Sequence, residues 1–232
     1  MKITVVGASG LIGTKVVDVL KAEGHDVVAA SRSSGVDVLT GAGMADALAG
    51  ADALVDVTNS HAFEADAVMQ FFTTSAGNLV EAARSAGVGH YVALSIVGVD
   101  GLPESGYFRA KVAQEKIITE SGIPYSIVRA TQFAEFTDAI IESMTDGDEV
   151  RVPDALIQPI PASEVAAAVA DAAAGVAING IVNIGGPERI TFERMARDLL
   201  ARKGDDTKTV VVDAAARYFG AVLERRSLVT PG

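Results

Sequence analysis

The chain has 232 residues, a formal net charge of −11, 49% apolar residues and only 5% aromatic ones. That length supports one large α/β unit with a substantial core but not two full domains, and the acidic balance gives no basis for holding nucleic acid, which needs clustered Lys and Arg. Cysteine is absent, which removes disulfides, thiolate metal sites and cysteine nucleophiles.

The opening MKITVVGASG enters a strand-like run at once, with no basic-then-apolar leader. No apolar run approaches the roughly 20 residues that cross a bilayer, so the sequence predicts a cytoplasmic protein that does not engage membranes. Strands are expected over 2–6, 26–31, 36–38, 53–58, 90–95 and 125–130, and helices over 11–23, 42–49, 66–86 and 107–121. Gly24, Gly50, Gly87 and Gly122 fall where each helix needs a C-terminal residue that tolerates a left-handed backbone. Most of the strands are near-continuous apolar runs, as in a sheet covered on both faces. The βαβ rhythm predicts an α/β fold with a Rossmann-type doubly wound parallel sheet.

Beyond residue 130 the rhythm loosens. Loops with Pro153, Pro159 and Pro161 lead to an alanine-rich helix with Ser163 as its expected N-cap. A strand in GIVNIGG, a helix begun at Thr191, a strand in KTVVVD and a last helix in AAARYFGAVLERR complete the chain. The expected organisation is one domain, 1–232, with a small C-terminal lobe from about 131–160 and 185–232. His25, His61 and His90 lack metal-ligand spacing and read as surface or loop residues; no metal site is expected.

The first strand runs into GASGLIG and then a helix. Gly7 turns the chain, Gly10 lets backbone N–H groups approach a pyrophosphate, and Gly13 lets helix and sheet pack closely. Ser9 adds a hydroxyl, and Leu11 and Ile12 open the helix at its positive end, where phosphates bind. The second strand ends in SRSS, without the acid that accepts from an NAD ribose. Arg32, flanked by Ser31 and Ser33, suits a 2′-phosphate instead, so NADP(H) is expected over NAD(H). Thr58 and Asn59 should flank the cofactor groove, and Gln132, Phe133 and Phe136 the substrate side, with Phe71 and Phe72 as further candidate pocket aromatics.

In ESGYFRAK, Tyr107 and Lys111 stand four residues apart, a spacing that places both on one helix face. The motifs GASGLIG, NLVEAARSAGVGHYVALSIVG, YFRAK, QEKIITESGIPYSIVRATQF, IPASEVAAAVADA and NIGGPERITFERMA, in that order, resemble the short-chain dehydrogenase/reductase superfamily, and within it the atypical NmrA-like group. The resemblance covers nearly the whole chain. It implies that Ser95 orients a substrate carbonyl, that Tyr107 exchanges the proton, and that Lys111 binds the nicotinamide ribose and lowers the tyrosine pKa. Phe72 stands where extended members carry a further asparagine. The chain also ends early relative to such proteins, at SLVTPG, so part of the substrate-side wall is expected to be missing or unordered.

The resemblance implies an NADPH-dependent oxidoreductase reducing a small carbonyl or quinone. The alternative is a non-catalytic NADP(H)-sensing regulator acting through a partner protein; a homodimer is a further possible assembly. Epimerase or dehydratase chemistry on a nucleotide sugar ranks third, because the chain is short for it.

Overall fold

A computed structural model describes residues 1–231. Its elements, in chain order, are β1 (Lys2–Val6), α1 (Leu11–Ala22), β2 (Asp26–Ala30), α2 (Met44–Leu48), β3 (Ala53–Asp56), α3 (Ala65–Ala86), β4 (His90–Ile96), α4 (Gly106–Thr119) and β5 (Tyr125–Ala130). There follow α5 (Thr137–Ser143), β6 (Thr145–Asp146), β7 (Glu149–Val152), β8 (Leu156–Ile157), α6 (Ala162–Ala174), β9 (Gly180–Ile184), β10 (Ile190–Thr191), α7 (Phe192–Lys203), β11 (Thr209–Val212), β12 (Arg217–Tyr218) and β13 (Ala221–Val222).

Six strands form one parallel sheet in the order β2-β1-β3-β4-β5-β9. Because side chains alternate across a strand, each strand feeds two cores. Ile3, Val5, Val55, Val92 and Val128 pack under α1 and α6, whereas Val6, Leu54, Tyr91, Ala93 and Ile127 pack under α2, α3 and α4. This is the doubly wound architecture that the apolar strand runs imply. A third core, containing Phe108, Ile141, Val150, Phe192, Leu199 and Tyr218, joins α4 to the C-terminal elements. There β11, β7 and β6 form a small sheet against α5 and α7.

Four expectations about the elements change. Residues 36–38 form no strand; Asp37 instead organises a turn, accepting from the N–H groups of Leu39 and Thr40. The stretch with Pro153 and Pro159 is not simply loops, since β7 and β8 lie there. Ser163 lies inside α6, whose N-terminus is Pro161–Ala162; the Glu135 carboxylate, 27 residues away, accepts from Ala162 N–H at 3.0 Å. The expected last helix is a hairpin, β12–β13, turning at Phe219 and Gly220, both at positive φ. Its apolar spacing is compatible with a helix, but Gly220 interrupts it and the aromatic side chains find tertiary partners as a ribbon.

His90 also departs from expectation. It is buried at the start of β4, its Nε2 shares a hydrogen bond of 2.9 Å with Ser126 Oγ, and burial lowers its pKa.

Candidate active site

The C-terminal ends of β1, β2 and β3 meet at the glycine turn. Gly7 has φ +89, donates to Ala30 O at 3.0 Å, and lies so close to β3 that a Cβ would come within 2.8 Å of Val57 O. A Cβ on Gly13 would collide with Gly7 O and approach Ala8 Cα to 2.7 Å, so α1 docks on the turn at a separation only glycine permits. Gly10 is the N-cap of α1, with no side-chain cap and no acidic residue in the first turn. The N–H groups of Leu11, Ile12 and Gly13 have no acceptor within the helix, because first-turn donors never do, and they stand at its positive end. This cradle of close-packed glycine and free donors fits a dinucleotide diphosphate.

At the end of β2, Ser31 Oγ and Ser33 Oγ share a hydrogen bond of 2.8 Å, and Arg32 Nη2 lies 3.0 Å from His61 Nε2. The arginine is thereby tied to the β3–α3 loop. His61 belongs to this corner, which its lone position in the sequence gave no reason to expect.

Under α3 and α4 the sheet carries a buried polar network. Asp56, in an otherwise apolar strand, accepts at Oδ1 from Thr58 N–H (3.0 Å) and Thr58 Oγ1 (2.7 Å), and at Oδ2 from Tyr91 OH (3.0 Å) and Gln114 Nε2 (2.8 Å). Gln114 Oε1 in turn accepts from Lys111 Nζ, which also donates to Leu94 O at 2.9 Å and lies 4.6 Å from the Phe72 ring centroid. Burial lowers the Lys111 pKa to about 8, against the opposing pull of Asp56 and Glu115. The same burial, reinforced by the Asp56 charge and hydrogen bond, raises the Tyr91 phenol well above its ordinary value. Ser95 follows Leu94 on β4, and its buried Oγ has no partner among the described residues. An orphaned hydroxyl at the C-terminal end of a central strand suits a ligand oxygen.

Tyr107 sits one helical turn before Lys111, but its OH donates to Asn59 Oδ1 at 2.6 Å. Burial pushes its pKa up to about 12, offset in part by the Asn59 bond. Among the described residues, the lysine makes no hydrogen bond to the phenol. Phe72 is fully buried and touches both, edge-on to Tyr107 at 5.7 Å.

Ser95, Lys111, Tyr107 and Asn59 thus gather on the α3/α4 side. Gln132 and Phe133 continue β5, where Gln132 O accepts from Ile160 N–H at 2.9 Å and Phe133 packs with the α1/α6 core, 5.7 Å from the Phe136 ring. Both amide atoms of Gln132, 7% exposed, lack partners. The aromatic neighbours of Tyr107 are instead Phe72, Phe108 and Phe219. Asp56, Gln114 and Phe219 escaped the sequence reading; an acid within the apolar run ALVDVT was the available signal for the first. A cavity of about 800 Å³ near Asp100, Arg129, Asn183 and Arg226 shares no lining residue with this site. Its buried cation, Arg129, is already matched by Glu115 and Asp100.

The parallel sheet, the glycine cradle and the strand-end polar groups define a Rossmann-like dinucleotide-binding fold. The NAD(P)H-binding family matches residues 7–175, and the chain belongs to that family. It is 30% identical over 221 residues to the chloroplastic divinyl chlorophyllide a 8-vinyl-reductase of Cucumis sativus, covering 80% of this chain and 52% of that protein. The chain spans about half the length of the curated relatives it matches. Among solved structures, MoeE5 in complex with UDP-glucose and NAD superposes with a TM-score of 0.77 at 19% identity, over 97% of this chain and 88% of that one. The Citrobacter sp. triphenylmethane reductase complexed with NADP(H) gives 0.71 at 21% identity, over 92% and 79%. No described helix is long and apolar enough to cross a membrane, and no group of acidic or histidine side chains among the described residues could hold a metal ion.

Proposed function

We propose that this protein is an NADPH-dependent reductase of a small carbonyl or quinone compound. The observation that carries this reading is the anchoring of Lys111 Nζ at Leu94 O, the residue next to Ser95, which assembles a buried cation and an unpartnered hydroxyl at one strand end. Gly7 to Gly13 would hold the diphosphate, Arg32 with Ser31 and Ser33 the 2′-phosphate, and Lys111 the nicotinamide ribose, flanked by Thr58 and Asn59. Bound NADPH supplies a hydride, two electrons and a proton, and is oxidised to NADP+.

Ser95 Oγ donates to the substrate oxygen and fixes the carbonyl. Tyr107 gives its phenolic proton to that oxygen as the new C–H bond forms and the C=O π bond breaks, and solvent reprotonates the phenolate. A phenol held at about 12 stays protonated at neutral pH, which is the state reduction requires. A quinone accepts hydride without depending on that proton. Gln132, Phe133 and Phe136 belong in this reading to the far wall of the substrate cleft.

The expected result is steady NADPH oxidation with a quinone or aldehyde, lost in Lys111→Ala and, for aldehydes, in Tyr107→Phe. Arg32→Ala should lower the preference for NADPH over NADH by at least about tenfold, the worth of one charge-assisted hydrogen bond; an unchanged ratio removes the NADP assignment. A regulatory role is the second reading. It draws on the Lys111 hydrogen bonds, which run to Leu94 and Gln114 and leave Tyr107 to Asn59. Tight NADPH uptake with no turnover on a broad panel would favour it.

A further inference from the structure

The β12–β13 hairpin places an aromatic residue where the backbone favours glycine or asparagine. Phe219 has φ +48, followed by Gly220 at φ +84. A bulky side chain in the left-handed region is strained, and such strain persists only where the surroundings enforce it. The enforcement here is visible. The Phe219 ring stacks on Phe108 (6.3 Å, 21° between planes) and meets Tyr218 edge-on at 4.8 Å.

What the strained turn achieves is to bring that ring to 5.6 Å from Tyr107. A second aromatic arrives from another part of the chain. Phe63, in the loop between β3 and α3, lies 6.2 Å from Phe219 and is 69% exposed, while Phe219 itself is 43% exposed. Two rings from segments more than 150 residues apart therefore meet beside the candidate proton donor, each keeping an open face. The same loop supplies Asn59, the Tyr107 acceptor.

We infer that Phe63 and Phe219 form an aromatic subsite that selects flat, conjugated carbonyl acceptors, quinones above all, over small aliphatic ones. The inference rests on the reductase reading given above and specifies its substrate class. With the Phe219 ring 5.6 Å from the Tyr107 ring, an acceptor the size of a naphthoquinone hydrogen-bonded to Tyr107 OH is long enough to reach it, and only a planar π-system gains offset-stacked or edge-on contact there. Exposed phenylalanine faces also carry no hydrogen-bonding group for the hydroxyls of a sugar or for an anionic substrate.

The test titrates 1,4-naphthoquinone into the full chain without NADPH, so that binding is read by calorimetry and no turnover intervenes. Phe219→Gly removes the ring and the strain together, and should weaken naphthoquinone binding about tenfold, the scale of one or two lost aromatic contacts. With NADPH present, the kcat/KM ratio of naphthoquinone to propanal should fall by a similar factor. Phe219→Tyr, which keeps the flat face, should restore both, whereas Phe219→Leu should not. Unchanged naphthoquinone affinity in Phe219→Gly, or equal losses for the planar and aliphatic substrates, overturns the subsite. Should Phe219→Gly fail to fold, Phe63→Ala on its exposed side chain decides alone: an affinity within about twofold of the parent refutes the assignment. NADPH titration of the parent protein is read separately, so failure of cofactor binding, which would sink the reductase reading, is distinguishable from failure of the aromatic subsite.

Discussion

The two faces of the same sheet are built on opposite terms. Beneath α1 and α6 the packing is small and apolar: Ala166, Val169, Ala170 and Ala173 meet Val16, Val17 and Leu20, and the buried His90–Ser126 pair lies away at the N-terminal ends of β4 and β5. Beneath α3 and α4 the sheet buries Asp56, Tyr91, Ser95, Lys111, Gln114, Glu115 and Arg129. Burying charge is costly unless each group is paired, so the second face gives up packing for a connected set of polar groups. That difference separates a face of continuous apolar packing from one built around a buried polar network.

The comparison can be broken most severely at Arg129. Its Nε and Nη2 donate to the two Glu115 oxygens at 3.0 and 2.6 Å, and Nη1 reaches Asp100 at 3.1 Å. Arg129→Leu strands the buried Glu115 carboxylate and should cost about 3–5 kcal/mol in urea unfolding. A loss under about 1 kcal/mol would show that the α4 face tolerates unpaired charge and that the contrast is false.

Lys111 sharpens it next. The folded state holds its pKa at about 8, below the value of about 10.4 in an unfolded chain. Below pH 8 both states are protonated and the burial penalty is fully present. Between the two values the unfolded chain binds more protons, so stability rises with pH across that window, by up to about 3 kcal/mol. Above pH 10 Tyr107 acts in the reverse sense, since its raised pKa of about 12 keeps it protonated in the folded state and its contribution is lost as pH climbs. Urea titrations at pH 7.5 and 9.5 should show the rise in the parent chain and a flat response in Lys111→Met.

The smallest change probes the apolar face. Ala166 is fully buried in α6, and Ala166→Leu should destabilise by about 1–3 kcal/mol through overpacking. NADPH affinity in the folded fraction should stay within about twofold, because Asp56, Ser95, Lys111 and Gln114 lie on the opposite face and the close Gly7–Gly13 contact pins the N-terminus of α1. A selective loss of NADPH binding would instead tie α6 to the cofactor.

Most strands of the sheet, the four helices of its first half and the glycine cradle were legible in the sequence alone, because each is a local pattern: apolar runs, glycine at helix ends, and a turn that Cβ atoms would block. Thr191 was equally legible, since its side chain caps α7 by accepting from Arg194 N–H at 3.0 Å. Tertiary structure alone decided what remote side chains do to one another. Glu135 displaced Ser163 as the cap of α6, Asp56 and Gln114 became the partners that hold Lys111, and AAARYFGAVLERR became a hairpin because its aromatics had Phe108, Phe192 and Tyr107 to pack against. Local propensity contributes only tenths of a kcal/mol per residue, so a segment whose contacts lie 100 residues away takes the shape those contacts reward.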